Sequence, residues 1–246
     1  MSNSHSPEYS YVVAAHNSED VITETWSLLR KHFQSGPVEI VIVENGSTDG
    51  TWPTLQALAT AVGPADPSLK VLRSEKGLGN ALAAGALASR GKSIVFTADD
   101  LPFGFSDLEA YSLLGKKPAV AIGSKGHPGS TVQRGAGRDV LSTGFRLIRD
   151  AVLHLGVRDS QGTLIVDGDF ARAFAPVSQE TGYLWTTEFI FAARTAGFSV
   201  QEIPVHLTPR HAEHPSRVRA ADVWQMFEGL ARIRRRRSKY LALSIE

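Results

Sequence analysis

The sequence predicts an α/β fold in which helices flank a mostly parallel central sheet. Three apolar runs, at Tyr9–Ala15, 38–43 and 93–97, each end in a short polar segment. Helical patterns follow the first two runs, and such alternation of strand and helix is typical of βαβ units. The run 38–43 consists almost entirely of β-branched residues, as expected for a strand that is covered on both faces. These observations predict a nucleotide-binding type of architecture in the first half.

The elements of the first half follow one another closely. The strand Tyr9–Ala15 leads through a polar loop into a helix that carries Trp26 and Leu29. The second strand precedes a helix that carries Leu55, and the segment 63–68 ends that helix because it is rich in proline and glycine. A third strand, an alanine-rich helix whose small side chains allow close packing on the sheet, and a fourth strand come next. Their predicted ranges are 70–73, 80–89 and 93–97.

The second half is organised differently and contains a long basic segment. A strand is predicted at Val120–Gly123, and the polar, glycine-rich segment 124–138 is expected to be mobile. Apolar residues then recur at helical spacing in three segments, which are separated by polar stretches and one closing strand. The predicted helices are 141–155, 185–196 and 223–233, and the predicted strand is 199–207.

The composition indicates a single domain over residues 1–246, long enough to bury a large core. Lys and Arg total 26 and Asp and Glu total 25, so the overall charge implies no polyanionic partner. The chain has no cysteine, which excludes disulfides and thiolate metal sites and fits a reducing compartment. Because it has no bilayer-length apolar run and residues 1–10 lack the features of a signal peptide, we expect a cytoplasmic protein.

The most informative segment is 38–51, VEIVIVENGSTDGT, in which an apolar strand ends in a small polar turn. Ligands of open α/β sheets bind outside the carboxyl ends of the strands. Glu44 and Asn45 are expected at that edge, where a carboxylate can accept a hydrogen bond from a base or a sugar hydroxyl. Gly46 and Gly50 permit turn geometry. The alternative is an ordinary loop whose polar residues only cap the next helix.

Four motifs together carry a resemblance to a known family. They are VENGSTDGT, GLGNALAAG at 77–85, the aspartate pair after SIVFT, and EIPV at 202–205. Over residues 9–233 the chain resembles glycosyltransferase family 2, and within it the polyprenyl-phosphate (dolichol-phosphate) sugar synthases. The resemblance implies a GT-A fold with a Rossmann-like N-terminal half. It places the nucleotide-sugar in residues 9–123 and the acceptor in residues 124–233, with a basic tail at 234–246.

The resemblance also implies that the loops after the first two strands bind a nucleoside-diphosphate sugar. His16 stands where the family usually has a tyrosine, and Ser18 stands where it usually has an acidic residue, so the base is not specified. An ordinary loop histidine is the alternative for His16. The implied donor-binding residues are Ala14, Ala15, His16, Glu19, Glu44, Gly46, Lys76 and Asp99.

The metal motif of the family is Asp-x-Asp after the fourth strand, and this chain has Ala98-Asp99-Asp100 there. Asp100 matches the second aspartate, whereas Ala98 occupies the place of the first. The resemblance implies a divalent cation, Mg²⁺ or Mn²⁺, held by Asp100 and Asp99, because such ions prefer oxygen ligands and offset the charge of a leaving diphosphate. Both aspartates are therefore implied catalytic residues. The alternative is a pair of solvated carboxylates at a strand end.

Synthases of this kind hold the phosphate of a lipid acceptor with arginines, because a guanidinium can bind phosphate through two hydrogen bonds. Arg138 and Ser142 match the Arg-x-x-x-Ser pattern of the family, and Lys125 and Arg134 are further cations of the same segment. The resemblance implies these four residues as the acceptor-phosphate site. A solvated basic loop is the alternative. The aromatic and basic signature of the family is replaced by GTLI at 162–165, which leaves the acceptor open.

Glu188, in the segment WTTE, matches an acidic position at the start of a later helix of the family, where inverting enzymes often place a base. The resemblance thus implies Glu188 as a third catalytic residue. The alternative is a carboxylate favoured by the dipole at a helix N-terminus. His206, His211 and His214 follow EIPV on the side expected for the diphosphate, but their spacing forms no closed metal site.

The arginines at 234–237 follow an apolar stripe that includes Met226 and Phe227. This pattern is typical of peripheral contact with the inner membrane surface, where each cation near anionic lipid contributes about 1 kcal/mol. The alternative is a solvated helix end with cations at its C-terminus. Nucleic-acid binding is not expected, because the chain is nearly neutral and lacks interleaved aromatic platforms.

The sequence therefore predicts a glycosyltransferase that moves a sugar from a nucleoside-diphosphate sugar to a polyprenyl phosphate. The expected mechanism is direct displacement at the anomeric carbon, with inversion and a divalent metal. Two alternatives stay open. An enzyme of the same fold would glycosylate a soluble acceptor in a biosynthetic pathway. A protein with a degenerate metal motif would bind a nucleotide or phospholipid without catalysis.

Overall fold

The computed structural model describes residues 6–34, 36–131, 136–208 and 220–243, with the backbone alone at 136–143 and 220–227. Its strands are β1 Tyr9–Ala15, β2 Val38–Glu44, β3 Ser68–Arg73, β4 Ser93–Ala98, β5 Val120–Gly123, β6 Thr163–Asp167 and β7 Val200–Ile203. They form one sheet in the order β3-β2-β1-β4-β6-β5-β7. Strand β6 is antiparallel to both of its neighbours, and the other pairs are parallel. The predicted mostly parallel sheet is confirmed.

Helices connect the strands and cover the sheet. In chain order they are α1 Glu19–His32, α2 Thr51–Thr60, α3 Leu78–Ala88, α4 Ser106–Ser112, α5 Ala136–Leu153, α6 Gly168–Phe174, α7 Trp185–Thr195, α8 Ala220–Arg235 and α9 Arg237–Leu241. A 3₁₀ turn, Ala175–Val177, extends α6. In the part of the chain that the structure describes, no helix is both long and apolar enough to cross a membrane.

The central strands are buried because apolar clusters cover both faces of the sheet. All seven residues of β2 are buried, and its alternate side chains enter opposite clusters. Val41 packs on the side of α3 and α7, whereas Ile40 packs on the side of α1. A strand in this position must be apolar on both faces, which explains its β-branched sequence. Polar groups are therefore expected mainly where these strands end.

The alanine-rich helix α3 packs very close to β1. A Cβ atom at Gly85 would lie 2.2 Å from Val12 Cγ1, so a larger residue there would push the helix away from the sheet. The predicted close packing is confirmed. The start of α3 also reaches the carboxyl edge of the sheet, where Gly77 N donates to Asn45 Oδ1 at 3.3 Å.

The second half departs from the predicted elements. Strand β6 was not predicted, because its short apolar run resembles any buried segment and its partners are distant in sequence. Helix α5 begins at Ala136, so the segment expected to be mobile, 124–138, ends inside a helix. The C-terminal chain continues into α9, whose Tyr240 is fully buried, so residues 234–241 are part of the fold and not a separate tail.

Asp107 in α4 is a buried carboxylate with two hydrogen-bond donors. It is 3% exposed and accepts hydrogen bonds from Thr163 Oγ1 at 2.7 Å and from Leu108 N at 2.8 Å. Burial raises the pKa of Asp107, and these hydrogen bonds only partly offset that effect. Because folding raises the pKa of Asp107, its protonated carboxyl group stabilises the folded protein at pH values below the unfolded pKa. This stabilisation is lost as the pH rises through the folded pKa.

We predict that Asp107→Asn raises the melting temperature relative to wild type, by an amount that grows as the pH rises above about 4, the pKa of an unfolded aspartate. The amide keeps the shape of the side chain but carries no charge that must be buried. Thermal unfolding across this pH range measures the difference. Asp169→Asn is the matched control, because the Asp169 side chain is 95% exposed. A difference for Asp107→Asn that is independent of pH would contradict the prediction.

Candidate functional site

The loops after β1 and β2 are joined side by side at the carboxyl edge of the sheet. Asn17 N donates to Ser47 Oγ at 3.0 Å, and Thr48 N donates to Asn17 Oδ1 at 2.9 Å. Ser18 N donates to Thr51 Oγ1 at 2.7 Å. Asn17 has a φ of 52°, which asparagine tolerates because its short side chain bonds locally. The polar turn of the second loop therefore organises the first.

Glu19 extends the same contact between the loops. Gly50 N donates to Glu19 Oε2 at 2.9 Å, and Glu19 N donates to Asp49 Oδ2 at 3.2 Å. A Cβ atom at Gly50 would lie 2.3 Å from Glu19 Oε1, so a side chain there would displace the Glu19 carboxylate. Glu19 thus holds the second loop in this structure, and its contact with a nucleotide stays a prediction.

Asn45 connects three segments at the centre of this edge. Its N and Nδ2 atoms both donate to Ala15 O at 3.0 Å, and its Oδ1 accepts from Gly77 N. Its backbone O lies 3.0 Å from His16 Nδ1. Asn45 is only 4% exposed. The sequence places Asn45 at the edge but does not reveal this bridging role, because its partners are backbone groups far away in the chain.

Glu44 ends β2 with a carboxylate that is fully buried. Its Oε2 accepts from Arg73 Nε at 2.8 Å and its Oε1 accepts from Ser47 N, while the Arg73 guanidinium lies 5.3 Å from the Trp52 ring centroid. Burial raises the pKa of Glu44, but these hydrogen bonds and the charge of Arg73 outweigh it and hold the pKa below its usual value. Glu44 is therefore an ionised anchor of the loop, and sequence reasoning missed its partner Arg73.

Lys76 lies against the glycine turn of the second loop. Gly46 has a φ of 73°, and a Cβ atom there would lie 2.9 Å from Lys76 Cβ, so both the backbone and the packing need glycine. Lys76 itself is exposed. Ala14 and Ala15, at the end of β1, are buried. Lys76 thus places a cation beside the two joined loops.

The two aspartates after β4 have different surroundings. Asp99 is 5% exposed, and its carboxylate accepts a hydrogen bond from Ser18 Oγ while its carbonyl accepts one from Thr25 Oγ1. Asp100 is partly exposed, with its Oδ1 atom buried, and it precedes Leu101, whose φ is 44°. The structure therefore ties Asp99 to the first loop and leaves Asp100 nearer to solvent.

The basic segment after β5 lies beside the loop that follows Asp100. Lys125 Nζ is 5.9 Å from the ring centroid of Phe103, and Lys125 N donates to Asp159 Oδ2 at 3.2 Å. Asp159 N in turn donates at 3.0 Å to Glu202, the first residue of EIPV. Glu202 therefore positions the loop that carries Asp159, a function that its motif did not indicate.

The other predicted acceptor and histidine positions are described only in part. Arg138 and Ser142 lie four residues apart on α5, where the structure describes the backbone alone. His206 is exposed, and its N donates to Ser106 Oγ at 3.0 Å. Arg134, His211 and His214 lie outside the described residues. Their predicted roles stay predictions.

Glu188 is fully buried in the first turn of α7. Its carboxylate accepts hydrogen bonds from Tyr240 OH at 2.6 Å, from Arg236 Nη1 at 2.8 Å, and from the backbone N atoms of Glu180 at 2.9 Å and Gln179 at 3.1 Å. This position agrees with the alternative of a helix-terminal carboxylate. Because the side chain has no exposed surface, we do not retain Glu188 as a catalytic base.

Arg236 is mostly buried, so it does not belong to a solvated basic tail. Its side chain is 13% exposed, and its Nη2 donates to the carbonyl of Val177 at 2.6 Å. Arg234 and Arg237 are exposed and line a surface pocket of about 250 Å³ together with Arg194. The arginine run is thus divided, because one guanidinium enters the fold while its neighbours face solvent.

We predict that Asn45→Ala lowers the free energy of unfolding by about 2 kcal/mol, because it leaves the buried Ala15 O and Gly77 N with fewer partners. Urea denaturation measures this change. Ser47→Ala is the matched control, since it removes one hydrogen bond from a partly exposed position and should cost less than about 1 kcal/mol. Equal effects of the two substitutions would show that Asn45 does not hold the site together.

The fold is shared with solved glycosyltransferases. The glucosyl-3-phosphoglycerate synthase of Mycobacterium tuberculosis, in complex with Mn²⁺, UDP-glucose and phosphoglyceric acid, gives a TM-score of 0.65 at 17% identity, covering 94% of this chain and 79% of that one. The same enzyme in complex with UDP gives a TM-score of 0.65 at 16% identity. This likeness confirms the predicted GT-A fold.

Dolichyl-phosphate beta-glucosyltransferases are similar in sequence. The protein from Saccharomyces cerevisiae is 28% identical over 207 residues, which cover 75% of this chain and 61% of the yeast protein. The protein from Homo sapiens is 27% identical over 222 residues, which cover 82% of this chain and 67% of the human protein. The chain thus spans about three fifths to two thirds of the length of these relatives.

The model of one family, glycosyl transferase family 2, matches residues 10–163, which is more than half of the chain. The match includes the joined loops after β1 and β2, the aspartates after β4 and the basic segment 124–138 after β5. The chain therefore belongs to glycosyl transferase family 2.

Proposed function

We propose that this protein transfers a sugar from a nucleoside-diphosphate sugar to an acceptor of the polyprenyl-phosphate type. The observation that carries the proposal is the joined pair of loops after β1 and β2, which shares one edge of the sheet with Asp100 and Lys76. Membership of glycosyl transferase family 2 supports the type of reaction. The dolichyl-phosphate beta-glucosyltransferases among the relatives support the class of acceptor.

We call the carboxyl edge of β1, β2 and β4, with the joined loops, Lys76 and Asp100, the donor edge. Its residues divide into two groups. Glu19, Glu44 and Asn45 shape the loops through the contacts described above, so the loops are preorganised before a ligand arrives. His16 and Lys76 retain exposed surface and would contact the donor directly. The ammonium of Lys76 would bind the diphosphate as a compact charge. Solved structures of the same fold contain UDP, which makes UDP the first nucleotide to test.

The donor atoms at this edge fit a divalent cation that is shared with a diphosphate. Within the described ranges, no three His, Asp or Glu side chains form a group that could hold a metal ion. Mg²⁺, however, is commonly held by one or two carboxylates together with substrate phosphates. Asp100 would supply such a carboxylate, and the adjacent Asp99, which accepts a hydrogen bond from Ser18 of the first loop, would fix its position. When bound, the cation would neutralise charge on the departing diphosphate.

The proposed reaction is a direct displacement with inversion. An oxygen of the acceptor phosphate forms a bond to the anomeric carbon as the bond to the nucleoside diphosphate breaks. A phosphate acceptor is already anionic at neutral pH, so it needs no base to deprotonate it. The burial of Glu188 is compatible with this chemistry, because it leaves that carboxylate unavailable as a base.

The acceptor is proposed to bind beside the loop after Asp100. Lys125 lies there, and we assign Arg138 and Ser142, on α5, to the same site because they match the Arg-x-x-x-Ser pattern and follow Lys125 in the sequence. Guanidinium and ammonium groups are the usual partners of phosphate. Arg134 belongs to the same proposed site by its position in the sequence.

A soluble phosphate-bearing acceptor is the second candidate. A solved structure of the same fold contains phosphoglyceric acid, and both this molecule and a dolichyl phosphate carry a phosphate. The chemistry of recognition would be the same in either case. Peripheral membrane contact by the exposed Arg234 and Arg237, and a single domain over residues 1–246, stay predictions.

We predict that Asp100→Asn lowers the transfer rate by about 100-fold or more and removes any Mn²⁺-dependent gain in UDP binding, because the carboxylate would be lost as a ligand. Release of UDP from UDP-glucose and thermal shifts with UDP, each with and without Mn²⁺, measure the two effects. Glu109→Gln, an exposed carboxylate on α4, is the matched control. Unchanged transfer by the Asp100 variant would refute the assignment.

We predict that Lys125→Ala and Arg138→Ala each raise the KM for the acceptor by about tenfold or more and leave the KM for the donor unchanged, because each would lose a charged contact with phosphate. A short polyprenyl phosphate and 3-phosphoglycerate are assayed separately, which distinguishes the two acceptor classes. Lys92→Ala serves as the control, since Lys92 is exposed before the start of β4. A rise in the donor KM alone would place these cations elsewhere.

A further inference from the structure

The C-terminal helices reach the donor edge through a continuous series of hydrogen bonds. Tyr240, in α9, is fully buried and donates to Glu188 at 2.6 Å. Arg236 joins the same carboxylate at 2.8 Å. Glu188 in turn accepts from the backbone N atoms of Gln179 and Glu180, so its position sets the course of the segment 179–181.

The segment 179–181 lies against the start of α3. Thr181 O accepts hydrogen bonds from Gly79 N at 2.8 Å and Asn80 N at 3.3 Å. A Cβ atom at Gly77 would lie 2.3 Å from Thr181 O, so the two backbones are in direct contact. A helix N-terminus has unsatisfied N–H groups, and here a carbonyl from a distant segment satisfies two of them. The start of α3 therefore depends on where the segment 179–181 is held.

The start of α3 is also one wall of the donor edge. Gly77 N donates to Asn45 Oδ1, and Lys76 packs against Gly46 of the second loop. A shift of the segment 179–181 would therefore move Lys76 and weaken the contact to Asn45. A second ion pair, from Arg232 to Glu180 at 3.0 Å, holds the segment from the same side.

We propose that Tyr240 and Arg236 are positioning residues for the donor, which act through Glu188 and the segment 179–181 to set the place of Lys76 and Gly77. This inference rests on the proposed function of Lys76 in binding the donor diphosphate. It assigns a function to the C-terminal helices, which lie beyond the residues matched by the family model.

The chemistry of Tyr240 suits such a role. Burial and the hydrogen bond to Glu188 both raise the pKa of the Tyr240 hydroxyl far above its usual value, so the phenol stays a donor at any pH at which the protein is used. The ring also packs near Phe174 and Phe191, with centroids 6.3 and 6.0 Å away. Tyr240→Phe therefore removes the hydrogen bond and keeps the aromatic packing.

The test compares wild type, Tyr240→Phe and a core control, Phe170→Leu, which lowers stability without touching the hydrogen-bonded series. Hydrogen exchange of the ligand-free proteins is followed for peptides that cover residues 76–82. Each of the three proteins is measured at the same number of degrees below its own melting temperature. We expect residues 76–82 of Tyr240→Phe to exchange about tenfold faster than those of wild type, and Phe170→Leu to exchange at the wild-type rate. Equal exchange in wild type and Tyr240→Phe would overturn the coupling.

Binding of UDP and GDP by calorimetry provides the functional readout. We expect Tyr240→Phe to bind its nucleotide about tenfold more weakly, and to raise the KM of the donor but not that of the acceptor. Faster exchange with unchanged nucleotide affinity would overturn the positioning role. Failure of wild type to bind either nucleotide would refute the proposed function, while the exchange result would still decide whether the C-terminal helices hold the start of α3.

Discussion

The organising constraint of this molecule is the burial of its central strands on both faces. A strand covered by apolar clusters on each side leaves little room for polar groups along its length, and the buried Ser10 and Glu39 lie near the starts of β1 and β2. Chemically useful side chains are therefore concentrated where β1, β2 and β4 end, and the parallel direction of these strands brings those ends to one edge. The joined loops, Asp100 and Lys76 all follow from that arrangement.

The site is held mostly by hydrogen bonds between side chains and backbone. Asn45 contacts Ala15 and Gly77, and Glu19 contacts Gly50, so each loop is fixed by a neighbour that is close in space but distant in sequence. Several carboxylates, including Glu44 and Glu188, accept hydrogen bonds from other parts of the protein and are therefore not free to bind a ligand. The acidic residues of this edge therefore divide into those that build the site and those, such as Asp100, that retain exposed surface.

Prediction from the sequence succeeded where a local pattern determines the structure. The run of β-branched residues identified β2, and the small residues of α3 indicated its close approach to β1. It failed where tertiary contacts decide. Strand β6 is short and antiparallel between β4 and β5, and the sequence pattern around Glu188 fits both a base and a helix-terminal carboxylate, whereas the structure buries it against Tyr240 of α9. Neither fact is visible in a window of neighbouring residues.

The sequence by itself determined the fold class and the polar edge at which the strands end, because apolar periodicity and turn residues act over short distances along the chain. Its motifs identified the family. The tertiary structure alone decided which polar residues retain exposed surface. Asp99 and Asp100 are adjacent in sequence, yet Ser18 binds the carboxylate of Asp99 while Asp100 lies nearer to solvent. The accessibility of a side chain depends on which distant segments pack over it, and the neighbouring residues in the sequence do not identify those segments.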